Sequence, residues 1–280
     1  MGWWRALVVV VLVLPAAGCR SDAERADRAR EEIFAAAKSL PGVENLQVTT
    51  KAVKGGIAVD ADVVLRPAEG RTAADAKALR AVLTRPEGVH GVSLTLLVRR
   101  GTTEHDGRWY DGTAGLPAFD GQVGLWGHVI DTGKYQRVVA MRQSTTRFLV
   151  TAMRWDDAGS RPAASAAYRD MVAAGTAAGL RTEDLDLTVR PTERFELGSN
   201  GTAALSDPFL AASERLAAFG VVRSLSASSG PAAPHLRIRV YPVSPLTEAQ
   251  RAAMRETLSA ARLLGPDLQA VEGSGAGRPL

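Results

Sequence analysis

Residues 101–133 hold the densest group of side chains able to do chemistry: His105, Asp106, Trp109, Tyr110, Asp111, Phe119, Asp120, Trp126, His128 and Asp131. Trp109, Tyr110 and Trp126 have the flat, polar-tipped shape that stacks on sugar rings, with nearby acids to hold hydroxyls. The same acids, with His105 and His128, offer oxygen and nitrogen donors to a cation. A structural reading stands beside these. The aromatics fasten a connector to a sheet, and Gly112, Gly115, Gly121 and Gly124 turn the chain. Aromatic burial stabilises a fold without any ligand. Trp109, Tyr110, Asp111, Trp126, His128 and Asp131 are the candidate ligand or partner surface.

Beyond that stretch, catalytic signatures are missing. The four histidines are His90, His105, His128 and His235, and none falls in a His-Glu-x-x-His pattern. One cysteine, Cys19, cannot form a zinc-binding pair. There is no Gly-x-Ser-x-Gly elbow, phosphate-binding Walker loop or dinucleotide glycine fingerprint. Asp156-Asp157 and Glu31-Glu32 read as solvated charges in a turn and on a helix. No catalytic residue, metal or cofactor is expected. Arg237 and Arg239 alternate on one strand face, suited either to phosphate and lipid head groups or to protecting a sheet edge.

The N-terminus carries the clearest address. Met1-Gly2-Trp3-Trp4-Arg5 supplies a cation, and Ala6 to Leu14 is an unbroken apolar run ended by Pro15. That run is far short of the ~20 residues a membrane-spanning helix needs, and fits an export signal. Ala16, Ala17 and Gly18 are small enough to enter a peptidase cleft ahead of Cys19. The tetrapeptide Ala16-Ala17-Gly18-Cys19 resembles the lipobox of bacterial prolipoproteins, with Ala16 where Leu is commoner. The resemblance implies cleavage before Cys19, a diacylglycerol thioether on its sulfur, and residence on the outer face of the cell membrane. Without other cysteines the chain has no intramolecular disulfide, so its core must hold it.

Hydrophobic content of 46% with only 5% aromatic residues predicts a globular core of Val, Leu and Ala. The formal charge of +4 is spread along the chain without a block of cations. Nucleic-acid binding calls for a concentrated basic patch, so that class is set aside. Mild attraction to anionic head groups is compatible with this charge.

Periodicity organises the rest. Ile33, Phe34, Ala37 and Leu40 form a helical stripe stopped by Pro41-Gly42. Lys54-Gly55-Gly56 reads as a hairpin turn, and Ile57, Val59, Ala61, Val63 and Leu65 alternate as a half-buried strand. Thr72 and Asp75 predict a capping box before the helix carrying Leu79 and Leu83. Hairpin, helix and strand recur between residues 134–191 and again between 205–272. Glycine followed by a branched apolar residue marks the helix exits at Gly42, Gly88, Gly179 and Gly220.

The order α-β-β-α-β, with Leu40-Pro41-Gly42-Val43 and Pro86-Glu87-Gly88-Val89 ahead of its strands, resembles the BON domain of bacterial envelope proteins. The likeness spans residues 23–99 and, more loosely, 207–271. It implies envelope association and brings no catalytic residues. A generic ferredoxin-like plait accounts for the same order.

The expected layout is an α+β protein of repeated small plait-like units. A signal peptide spans 1–18, a lipidated tether 19–30, an αββαβ unit 31–100 and a Gly/aromatic-rich connector 101–133. A ββαβ unit follows at 134–191, an αββαβ unit at 205–272 and a disordered tail at 273–280. The expected role is a non-catalytic, lipid-anchored binding or assembly module of the cell envelope. Its partners would be an envelope protein, lipid head groups or a wall polymer. The rival is an envelope hydrolase, or a cation- or sugar-binding protein, built on residues 101–133.

Overall fold

The computed structural model describes residues 21–111, 117–142, 147–153, 164–192, 194–232, 235–274 and 277–280. The export segment and Cys19 lie outside the described residues, as do Gly112, Gly115, Asp156 and Asp157.

One local rule is repeated along the chain: a helix, then an antiparallel strand pair. The helices are α1 (Asp22–Lys38), α2 (Thr72–Leu83), α3 (Pro117–Asp131), α4 (Ala164–Ala177), α5 (Asp207–Ala217) and α6 (Glu248–Ala260). The strand pairs that follow them are β1 (Val43–Val53) with β2 (Gly56–Leu65), β3 (Val89–Arg100) with β4 (Thr103–Asp111), and β5 (Arg137–Arg142) with β6 (Phe148–Met153). Then come β7 (Leu185–Thr192) with β8 (Phe195–Asn200), β9 (Val222–Ser229) with β10 (Leu236–Pro242), and β11 (Leu268–Glu272) with the short β12 (Arg278–Pro279).

Each helix carries the chain back so that the next strand lies parallel to the last one. β2 pairs with β3, β4 with β5, β6 with β7, β8 with β9 and β10 with β11, all in parallel. The result is one mixed sheet of twelve strands in strictly sequential order. Each helix packs beside the next, α1 on α2 through to α5 on α6. They form a single layer on one face, as expected when every crossover has the same hand.

Strand composition follows from that layering. On β2, Ile57, Val59, Ala61, Val63 and Leu65 are buried under the helices, while Asp60 and Asp62 between them are exposed. The period of two puts alternate residues on opposite faces. The core is mainly Val, Leu, Ile and Ala, enriched by an aromatic group under α3.

Several expectations change. The α-β-β-α-β orders of 31–100 and 205–272 are present, but they do not close as separate plaits, because β3 runs on to pair with β4 and β8 with β9. A split βαβ plait sets another strand between its parallel pair; here every parallel pair is adjacent. The tether expected through residue 30 is instead helix from Asp22. Its capping box has the Ser21 hydroxyl accepting from the Glu24 N–H while the Glu24 carboxylate accepts from the Ser21 N–H. The expected connector 101–133 is β4 and α3. The tail is also ordered at its end: β12 pairs with β11, Leu280 is buried, and its N–H donates to the Ala270 carbonyl.

Local signals are overruled elsewhere. Thr72 is the first helical residue of α2, not its cap, and Arg71 makes no side-chain cap. The Thr72 hydroxyl donates to Asp131 at 2.6 Å, a tertiary partner that displaces the local one. Gly42, Gly88 and Gly179 take the left-handed exit, at φ of 80°, 85° and 76°, whereas Gly220 does not.

Candidate ligand groove on the open sheet face

The candidate residues from the sequence are divided between the two faces. Trp109 on β4 points under the helices and is 3% exposed; Trp126 on α3 is fully buried above it. Trp109 meets Trp126 edge-on at 5.1 Å and Phe119 at 5.6 Å, and stacks near Phe148 at 6.1 Å. These rings form core and are closed to a sugar. Tyr110, the next residue, stands on the opposite face and is 68% exposed. Asp111 ends β4, paired with Val92.

The acids and histidines of this stretch do not converge. His128 lies on the outside of α3, 3.6 Å from Asp170 of α4. Asp131 accepts from Thr72 and, at 3.0 Å, from Arg100, locking α3 to α2 and β3. His105 is buried beneath the helix layer. Its Nδ1 accepts from the Val138 N–H at 3.1 Å, and its Nε2 faces the Thr103 hydroxyl at 3.1 Å. That hydroxyl donates to the Arg100 carbonyl, which leaves its oxygen to accept from an Nε2–H. The ring is therefore neutral, with no room for a proton on Nδ1. Burial, reinforced by Arg100 and opposed by Asp106, lowers its pKa from 6.5 to about 4. Among the described residues no three of His, Cys, Asp and Glu are grouped to hold a metal ion.

The face away from the helices is open, and its two halves differ. Across β1 to β5 several of its charges are paired: Glu44 with Arg66 and Arg99, Glu104 with Arg99, and Asp106 with Arg137 at 2.7 Å, while Asp60 and Asp62 on β2 are exposed. Among the described residues from β7 to β10, Arg190, Arg194, Arg237 and Arg239 stand against Asp186 and Glu196. Both carboxylates are already engaged, Asp186 by Arg147 at 2.8 Å and Glu196 by Arg190 at 2.5 Å. Burial raises the Asp186 pKa against the pull of Arg147.

Register builds a groove here. Thr188 on β7 lies beside Gly198 on β8, Gly198 beside Ser228 on β9, and Ser228 beside Arg237 on β10. These side chains share the open face in one row across the strands. Gly198 is part of its lining, and a Cβ there would crowd the Leu187 carbonyl oxygen at 3.0 Å and the Thr188 hydroxyl at 3.3 Å. The depression holds about 410 Å³, and an adjoining one of about 480 Å³ is lined by Arg190, Arg194, Ser224, Ser226 and Tyr241. The Nε of Arg237 is buried without a hydrogen-bond partner. Such orphaned donors are rare because desolvation without a partner is costly, and a bound acceptor relieves it.

Sequence reading reached only one corner of this site, the alternation of Arg237 and Arg239. Its edge-protection reading falls away, because β10 lies inside the sheet between β9 and β11. Thr188, Gly198 and Ser228 carried no visible signal, since only long-range pairing brings them together. Comparisons with protein families, with curated proteins and with solved structures returned no match.

Proposed function

We propose that this chain is a lipid-anchored binding module of the cell envelope, in which the helix layer is scaffold and the open sheet face receives the ligand. The observation that carries this is the one-sided sheet. Helices cover one face, and on the other a polar groove gathers hydroxyls and guanidinium groups from four strands. The repeated helix–hairpin pattern and its likeness to BON domains favour an envelope setting.

The anchor fits this geometry. Only Arg20 separates Cys19 from Ser21, the cap of α1. A lipid on Cys19 would hold the start of α1 within about 10 Å of the membrane surface, at roughly 3.5 Å of reach per residue. No helix of the described residues is long and apolar enough to cross a membrane. Strands lie about 4.8 Å apart, so β9 stands on the order of 40 Å along the sheet from β1. The groove would then work well away from the anchored corner.

Detergent phase partitioning of the protein made in its own cells tests the anchor. The wild type is expected in the detergent phase and Cys19→Ala in the aqueous phase. Equal partitioning of the two would remove the lipid anchor from this reading.

A further inference from the structure

We propose that the groove lined by Thr188, Gly198, Ser228 and Arg237 binds a hydroxyl-rich polymer chain that carries oxyanions. This rests on the open face being the binding surface, and names what that surface takes.

The chemistry follows from four adjacent positions. Arg237 supplies a guanidinium whose buried Nε lacks a partner in the protein, and an oxyanion accepts from such a fork better than a neutral group does. Thr188 and Ser228, one on each side of Gly198, offer hydroxyls that donate and accept, as the hydroxyls of a sugar or polyol require. Gly198, between them in the lining, puts no side chain of its own into the groove. Two carboxylates, Asp186 and Glu196, line the groove, and their ion pairs with Arg147 and Arg190 lower their repulsion of an anion. Ser226 continues the hydroxyl row on β9, donating to Glu196 at 3.4 Å, and Arg194 and Tyr241 line the next depression. A chain crossing both depressions would present repeated oxyanions to Arg237 and Arg194.

The shape favours a chain over a bilayer. A membrane presents its phosphates in a plane, while these donors line a recessed groove. Among the described residues none of the large exposed apolar side chains, Phe34, Val53, Tyr110, Met141, Val243 and Leu264, lines either depression; the apolar lining includes the half-buried Leu149 and Phe195.

The test uses the full protein as made in its own cells, in neutral detergent micelles, with binding followed by calorimetry. The probes are a glycerol phosphate oligomer, polygalacturonate, neutral dextran, and phosphatidylglycerol mixed into the micelles. The oligomer or the polygalacturonate is expected to bind, more weakly as salt rises, and dextran is not. Which of the two binds assigns phosphate or carboxylate. Arg237→Gln is expected to weaken binding at least tenfold, and Gly198→Val to block it, with thermal unfolding showing that both variants are folded. Arg66→Gln, on the other half of the face, is expected to bind as the wild type does.

Arg237→Gln alone decides the case if Gly198→Val fails to fold. No binding of either anionic chain, equal binding of dextran, or unchanged affinity in Arg237→Gln would overturn the groove. So would a response to phosphatidylglycerol alone. These outcomes are independent of detergent partitioning, so the loss of this ligand and the loss of the anchor are separate results.

Discussion

Trp109 and Tyr110 are neighbours in the chain and opposites in the fold, one sealed in the core and the other two-thirds exposed. The same contrast holds for the whole sheet. Its covered face spends aromatic and aliphatic side chains on helix packing; its open face carries Ser, Thr, Arg and carboxylates, with no second layer above among the described residues. Aromatic residues drew attention to 101–133 as a site, yet they belong mostly to the covered face. The groove proposed as the binding site lies on the open face, among Thr, Gly, Ser and Arg. Stability and recognition are thus assigned to opposite sides of the same strands, and substitutions should separate them.

The largest effect should come from the covered face. Trp126 is fully buried against Trp109, the ring that Phe119 and Phe148 also contact. Trp126→Ala removes a large buried side chain and leaves a cavity, which typically costs about 3–5 kcal/mol. Urea unfolding should show that loss, while ligand binding by the remaining folded fraction stays unchanged. A loss below about 1 kcal/mol would mean that this group is not core.

An intermediate effect is expected at His105, where the covered face meets a titratable group. The folded ring stays neutral down to a pKa of about 4, whereas the unfolded ring takes a proton near 6.5. Between those values the unfolded state binds the extra proton. The contribution is therefore complete above pH 6.5, shrinks as the pH falls, and is gone below about pH 4. Its size is about 2 kcal/mol, reduced from the full linkage value for solvent screening. His105→Asn keeps an acceptor for the Val138 N–H without titrating. Unfolding measured at pH 7 and pH 4.5 should show the wild type losing more stability than this variant; parallel losses would refute the assignment.

Much of the covered face was legible in the sequence, because its alternation is local. The run from Ile57 to Leu65 announces β2, and the expected pairing of the strands around Val138 and Val150 is observed. Helix α3 was hidden by Gly121 and Gly124, which read as turns. Packing explains the first, where a Cβ would meet the Ala178 carbonyl beyond α4 at 2.7 Å, and also Gly127, where one would meet the Ala73 backbone nitrogen of α2 at 2.7 Å. Glycine there lets α3 lie close between its neighbours. The sequential strand order was out of reach too, since no local pattern says which strands pair in parallel. For the same reason the row from Thr188 to Arg237, spread over four strands, could not be assembled from spacing.

The smallest effect sharpens the comparison most, because it uses the residue next to Trp109. Tyr110 projects from β4 into solvent, opposite Ser93 on β3, and its backbone carbonyl, not its ring, accepts from Arg142 at 3.1 Å. Tyr110→Ala therefore keeps that hydrogen bond and opens no cavity. Strand preference for an aromatic over alanine is modest on an exposed position, so stability should change by no more than about 0.5 kcal/mol. Binding of an anionic chain should also be unaffected, because β4 is separated from β8 by β5, β6 and β7. A strong binding defect in Tyr110→Ala with normal unfolding would move the recognition surface towards β4 and restore the aromatic stretch as part of the site.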